Sequence, residues 1–106
     1  MGMAKASSLG LAIKGVVDGV TTVTTAGTDV ALAASTPCKA VIIQAQTDNT
    51  SIIAVGATGV DATVATGTGL VLNPGDWTPM LEIDDLNDIY IDSLVSGEGV
   101  RYIYFV

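Results

Sequence analysis

The sequence predicts an all-β domain: a β-sandwich, jelly-roll-like, of seven or eight short strands, preceded by an extended N-terminal arm. Three observations predict it. Short runs rich in Val, Ile and Thr alternate apolar residues at period two, which is how a half-buried strand reads. Turn residues punctuate the chain at short intervals, as in Ala26-Gly27-Thr28-Asp29, Asn73-Pro74-Gly75-Asp76 and Ser96-Gly97-Glu98-Gly99. Helical spacing is interrupted by glycine wherever it starts. No repeat of solenoid period is present.

Residues 1–17 form the arm and 18–106 the sandwich domain. In the arm, Leu9, Leu11 and Ile13 alternate with Gly10, Ala12 and Lys14. A helical reading of Leu9, Ile13 and Val16-Val17 competes, but Gly10, Gly15 and Gly19 oppose it. The alternation marks an extended segment able to become a strand against another surface; a disordered terminus is the alternative.

In the domain, 20–25 is a Thr/Val strand and 30–33 a short apolar one, closed off by Pro37. The strongest strand is 38–46. Val41, Ile43 and Ala45 share one of its faces, Ala40 and Ile42 the other, which predicts a central position. Asp48-Asn49 turns the chain into an apolar run at 51–55. The Gly/Thr/Ala-rich stretch 56–69 reads as a long loop with a weak strand around 62–66. A short strand at 70–72 leads to the Pro-Gly turn, then to an edge-like strand at 77–83 containing Pro79. A turn at 84–88, a strand at 89–92 and a turn at 96–99 precede the closing strand 100–106. There Val100, Tyr102, Tyr104 and Val106 alternate with Arg101, Ile103 and Phe105, more apolar bulk than a solvent-facing edge needs. Val41, Ile43, Ile91 and Ile103 are the expected core.

Of the 106 residues 49% are hydrophobic, yet only 5% are aromatic. Such a core is thin, and a domain this small leaves much surface exposed, so burial against other chains would help it. Eleven acids face four bases, for a net charge of −7. Lys5 and Lys14 lie in the arm, leaving Lys39 and Arg101 in the domain against all the acids. An acidic body repels phosphate backbones, which argues against nucleic acid as a partner. The longest uncharged stretch, 62–75, is too short and polar to span a membrane, and the N-terminal apolar run is too broken for a secretory leader.

Chemistry is poorly supplied. Histidine is absent, which removes the commonest general base and metal ligand together. Cys38 has no histidine to activate it and reads as a small buried hydrophobe. Glu82, Asp84, Asp85, Asp88, Asp92 and Glu98 are dense but lack a calcium-loop pattern; Asp84 and Asp85 cap a turn and the others read as solvated. Gly67-Thr68-Gly69 opens no helix and is no phosphate loop. Trp77, Tyr90, Tyr102 and Tyr104 could stack on a glycan, though core or interface is the commoner use of such residues. No catalytic residue, metal site or cofactor is expected, and no enzymatic activity.

Five stretches together resemble small bacteriophage virion proteins. They are Thr24-Thr25-Ala26-Gly27-Thr28, Pro37-Cys38-Lys39-Ala40-Val41-Ile42-Ile43-Gln44-Ala45, Leu72-Asn73-Pro74-Gly75-Asp76, Ile83-Asp84-Asp85-Leu86-Asn87-Asp88-Ile89-Tyr90-Ile91-Asp92 and Gly97-Glu98-Gly99-Val100-Arg101-Tyr102-Ile103-Tyr104. The resemblance covers most of 20–104 and excludes the arm. It implies a structural protein decorating and stabilising the capsid exterior, made in the host cytoplasm and bound to the major capsid protein. A homotrimer is expected on the same ground. A tail-, neck- or fibre-associated module, receptor- or glycan-binding, is the alternative. The expected interface residues are Leu9, Leu11 and Ile13 in the arm, and Tyr102, Tyr104 and Phe105 in the closing strand.

Overall fold

A computed structural model describes residues 12–106. Seven strands run in the order β1 (Val16–Thr22), β2 (Val30–Ala31), β3 (Ala40–Ala45), β4 (Ile53–Gly56), β5 (Leu70–Leu72), β6 (Tyr90–Ser93) and β7 (Gly99–Phe105). A single 3₁₀ turn, Leu86–Asp88, precedes β6. The strands form two antiparallel sheets, β1-β7-β3 and β2-β6-β4-β5, packed as a β-sandwich.

The pairing is nested. β1 pairs with β7, β2 with β6, and β4 with β5. The segment 77–85 completes the set by lying along the free side of β3, through isolated bridges at Gln44–Trp77, Val41–Leu81 and Pro37–Asp85. Pro79 cannot donate to a ladder, so this fourth strand of the first sheet is broken where the others are continuous. The turn that delivers it is set by sequence: Asp76 N–H donates to Asn73 O at 2.9 Å, and Gly75 holds a φ of +86°. Pro before a positive-φ glycine is the chemistry of a type II turn.

The core lies between the sheets. Val41, Ile43 and Ala45 of β3 and Val100 of β7 meet Ile53, Val55, Leu72 and Ile91 of the other sheet, with Val23, Leu32, Leu86 and Ile89 closing the ends. Strand alternation explains who is inside. Val41, Ile43 and Ile91 are fully buried, as the sequence predicts. Ile103 is not: it is 39% exposed on the outer face of its sheet. The pleat of β7 gives the inner positions to Val100, Tyr102 and Tyr104, and so turns Arg101, Ile103 and Phe105 outward.

The closing strand is also not an edge. β7 is flanked by β1 and β3, and this central position is what its two-sided apolar pattern reflects. The first strand begins at Val16, inside the stretch assigned to the arm, and carries a full seven-residue ladder with β7. No strand forms in 62–66.

Candidate functional site

The two outer faces of the sandwich differ. On the four-stranded sheet, Ala54 and Tyr90 point outward and the loop between β4 and β5 folds over them. Val60 and Ala62 pack on Ala54 in a small second core, with Tyr90 at its side. Asp92 holds this cover in place. Its side chain is 2% exposed, and its carboxylate accepts from Gly27 N at 3.1 Å and Ala62 N at 2.9 Å. The sequence alone reads Asp92 as solvated; alternation along β6 instead puts it under the loop, where two backbone donors satisfy its buried carboxyl oxygens. Gly69, at φ +80°, lets the loop return against Val55, since a Cβ there would lie 2.4 Å from that carbonyl oxygen.

Among the described residues no loop folds over the outer face of β1-β7-β3, where Ala40 alone is fully buried. Register places its side chains in rows. Val20, Arg101, Gln44 and Trp77 lie opposite one another across β1, β7, β3 and the 77–85 segment. Asp18, Ile103 and Ile42 form the next row, and Val16, Phe105 and Ala40 the one after. Trp77 is 68% exposed, Val20 64% and Val16 59%. An open groove of about 540 Å³ runs across the first two rows. Its polar groups are held at one end and free to bind at the other. Gln44 donates through Nε2 to Gly75 O at 3.0 Å, and Arg101 donates through Nε to Gln46 Oε1 at 3.0 Å. Solitary exposed apolar side chains are ordinary on a protein surface, whereas Val20, Ile42 and Ile103 line this groove together with Trp77.

The expected interface residues fall in different places. Leu9 and Leu11 lie outside the described residues. Ile13 is 39% exposed just before β1. Tyr102 and Tyr104 sit half-buried on the inner side, packed against the core with ring centroids 6.1 Å apart. Phe105 is half-buried on the outer face. The residues that sequence reasoning missed are Val16, Val20 and Trp77 as a group. Their common face follows from the β1–β7–β3 register, which no local pattern reveals.

The acidic corner has a structural job. Asp85 caps the 3₁₀ turn, accepting from Asn87 N at 2.9 Å, Thr36 N at 2.8 Å and Ser35 Oγ at 2.8 Å. The backbone donors Thr36 and Asn87, then the Ser35 hydroxyl, hold its carboxyl below the usual range. Asp88 is pushed up, by desolvation and then by neighbouring Asp84. Glu98 ties the β3–β4 turn to the β6–β7 turn through Thr50 and Ser51; burial pushes its carboxyl up, but these hydrogen bonds outweigh it and hold the group below its usual range. Cys38 is half-buried with Sγ 3.6 Å from Ile83 O, and burial followed by the charges of Asp85, Asp84 and Asp88 raises its thiol. A raised thiol pKa disfavours the reactive thiolate. Among the described residues no three acidic or thiol side chains converge as metal ligands would.

Comparison with family models, with curated proteins and with solved structures finds no match for the chain.

Proposed function

We propose that the chain is a non-catalytic structural protein of a bacteriophage particle, docked on the capsid exterior, which it decorates and stabilises. The observation that carries this reading is the apolar face of β1-β7-β3, set against an opposite face that the chain covers over Ala54 and Tyr90 and leaves open at Val71. Its mechanism is burial of Val16, Val20, Ile103 and Trp77 against the major capsid protein, repeated over many copies, with the arm as a further tether. The nested pairing supports a jelly roll, with 77–85 counted as the eighth strand. Jelly rolls recur in capsid proteins and lectins, an analogy of fold.

A glycan-binding tail or fibre module is the second reading. Trp77, open to solvent beside the anchored amide of Gln44 and guanidinium of Arg101, favours it. Aliphatic Val20, Ile42 and Ile103 on the groove floor favour a protein partner.

The test is binding to capsids that lack this chain. The expected result is saturable binding at hundreds of copies per particle, abolished by Ile103→Asp. Binding at a handful of tail-linked sites, or binding indifferent to Ile103→Asp, would overturn the reading.

A further inference from the structure

We infer that the free edge of β1 joins two copies of this chain into one continuous sheet, strand β1 against strand β1 about a two-fold axis. A sandwich must manage four edges, because an open edge offers unpaired backbone groups to any passing strand. Three are managed here. β2 has two residues, β5 has three, and 77–85 is interrupted by Pro79. β1 has seven residues in an unbroken ladder, no proline and no lysine, and Asp18 is its one charge. It stands at the end of its sheet. Among the described residues, the segment before it does not cover that edge. Gly15 N donates to Val106 O at 3.0 Å and Lys39 Nζ reaches Ala12 O, so residues 12–15 run beneath the end of β7, away from the open side.

The register follows from backbone geometry. Gly15 and Val106 exchange hydrogen bonds, so odd-numbered residues of β1 direct their backbone groups to β7. Val16, Asp18, Val20 and Thr22 direct theirs outward. Pairing centred on Gly19 brings these outward groups face to face. It sets Asp18 opposite Val20 of the second copy, Val16 opposite Thr22, and glycine opposite glycine. Centring on Asp18 would oppose two carboxylates, which is unfavourable. Centring on Val20 would pair five residues in place of seven.

The arrangement also answers a shortage of area. Four strands at about 4.8 Å by seven residues at about 3.3 Å make a bare face of roughly 440 Å². A stable interface takes about 800 Å² from each partner. Two copies joined through β1 present about twice the single face, which reaches that figure. This step rests on the docking reading; the pairing itself does not. It yields a two-fold pair, whereas the trimer expected from the virion resemblance needs a contact of another kind.

The experiment is solution mass of the full chain across concentration, by light scattering and sedimentation, for wild type, Val20→Asp and Val20→Lys. Val20 is exposed, so both variants keep the monomer fold, which circular dichroism checks. Wild type should move from 10.7 kDa to twice that mass as concentration rises. Val20→Asp opposes Asp18 of the second copy twice and should weaken the pair roughly tenfold. Val20→Lys faces the same carboxylate and, even with Arg101 opposite it on β7, should hold the pair better than Val20→Asp. Trp77→Ala, on the same face but beyond β3 from the edge, should leave the mass unchanged, which separates this inference from the docking reading. A wild type monomeric at all concentrations overturns the inference. A trimer overturns it too. So does equal weakening by Val20→Asp and Val20→Lys, or loss of the pair only when residues 1–11 are removed, which would assign the edge to the arm.

Discussion

The outer face of the four-stranded sheet carries Ala54, Tyr90 and Val71, that of β1-β7-β3 carries bulkier Val16, Val20, Ile42, Ile103 and Phe105, and the chain treats the two differently. Over β6 and β4, a loop poor in bulk is drawn down by one buried carboxylate, and Ala54 becomes fully buried with Val60 and Ala62 around it. Over β1, β7 and β3, Val16, Val20, Ile103 and Trp77 stand in solvent. Connectivity decides which side is covered. The loop between β4 and β5 is long enough to fold back on its own sheet. The connections that serve β1, β7 and β3 run at the ends of the sandwich and leave their outer face open. A thin sandwich that closes one side and leaves the other has a surface that gains from a partner.

The largest expected effect separates inside from outside within one sheet. Ile43 is fully buried and Ile103 is 39% exposed on the neighbouring strand. Ile43→Ala should cost about 3 kcal/mol through lost burial and a residual cavity. Ile103→Ala should cost under about 1 kcal/mol. Denaturant unfolding measures both. Equal losses would mean that the outer face is as tightly packed as the core, and the comparison of faces would collapse.

Next comes the pin under the covered face. Asp92→Ala leaves the buried N–H groups of Gly27 and Ala62 without an acceptor, which should cost about 2 kcal/mol. Asp18→Ala on the bare face should stay within about 0.5 kcal/mol. Hydrogen exchange sharpens the contrast: in Asp92→Ala, protection of Ala62 N–H should fall more than that of the β1–β7 ladder. Uniform loss across the protein would show that the loop is not a separable cover.

What could be read beforehand follows the range of the interactions. Val41, Ile43 and Ile91 were legible because alternation is a property of neighbouring residues. So was the Asn73–Asp76 turn, whose glycine is required by its own φ. The assignment of Ile103 to the core failed because β7 has apolar residues on both faces, and only its partners reveal which face meets the second sheet. The burial of Asp92 was hidden for the same reason: its partners, Gly27 and Ala62, are far away in the chain. The row Val20-Arg101-Gln44-Trp77 joins four separate segments, so no local pattern contains it.

A smaller effect comes with acid. Asp85 and Glu98 have carboxyls held below their unfolded values, so their contribution is full above the ordinary carboxylate range, near pH 4. It is lost as pH falls through their folded values. Asp88 is raised and acts in the opposite sense, favouring the fold at the lower pH. The first two hold loops together and should dominate, so the melting temperature should fall as pH is taken below about 4. Glu98→Gln should flatten that decline. A melting temperature that rises over this range would mean that repulsion among Asp84, Asp85 and Asp88 outweighs the caps.

The smallest effect on stability should accompany a large effect on docking. Trp77 is 68% exposed, and its backbone, not its ring, makes the bridge to Gln44. Trp77→Ala therefore removes little that the isolated domain buries, and should shift unfolding by no more than about 0.5 kcal/mol. At an interface the same ring would be buried in full, and an anchoring tryptophan there is worth about 2 kcal/mol or more, roughly thirtyfold in affinity. Tyr104→Ala is the converse case. Its ring is half-buried against the core, so it should destabilise the domain and weaken docking only in proportion to the folded fraction lost. Measuring unfolding and particle binding on both variants tests whether the face is built for the fold or for a partner. If Trp77→Ala lost stability and kept binding, the bare face would belong to the fold after all, and the asymmetry between the two sides would have no functional meaning.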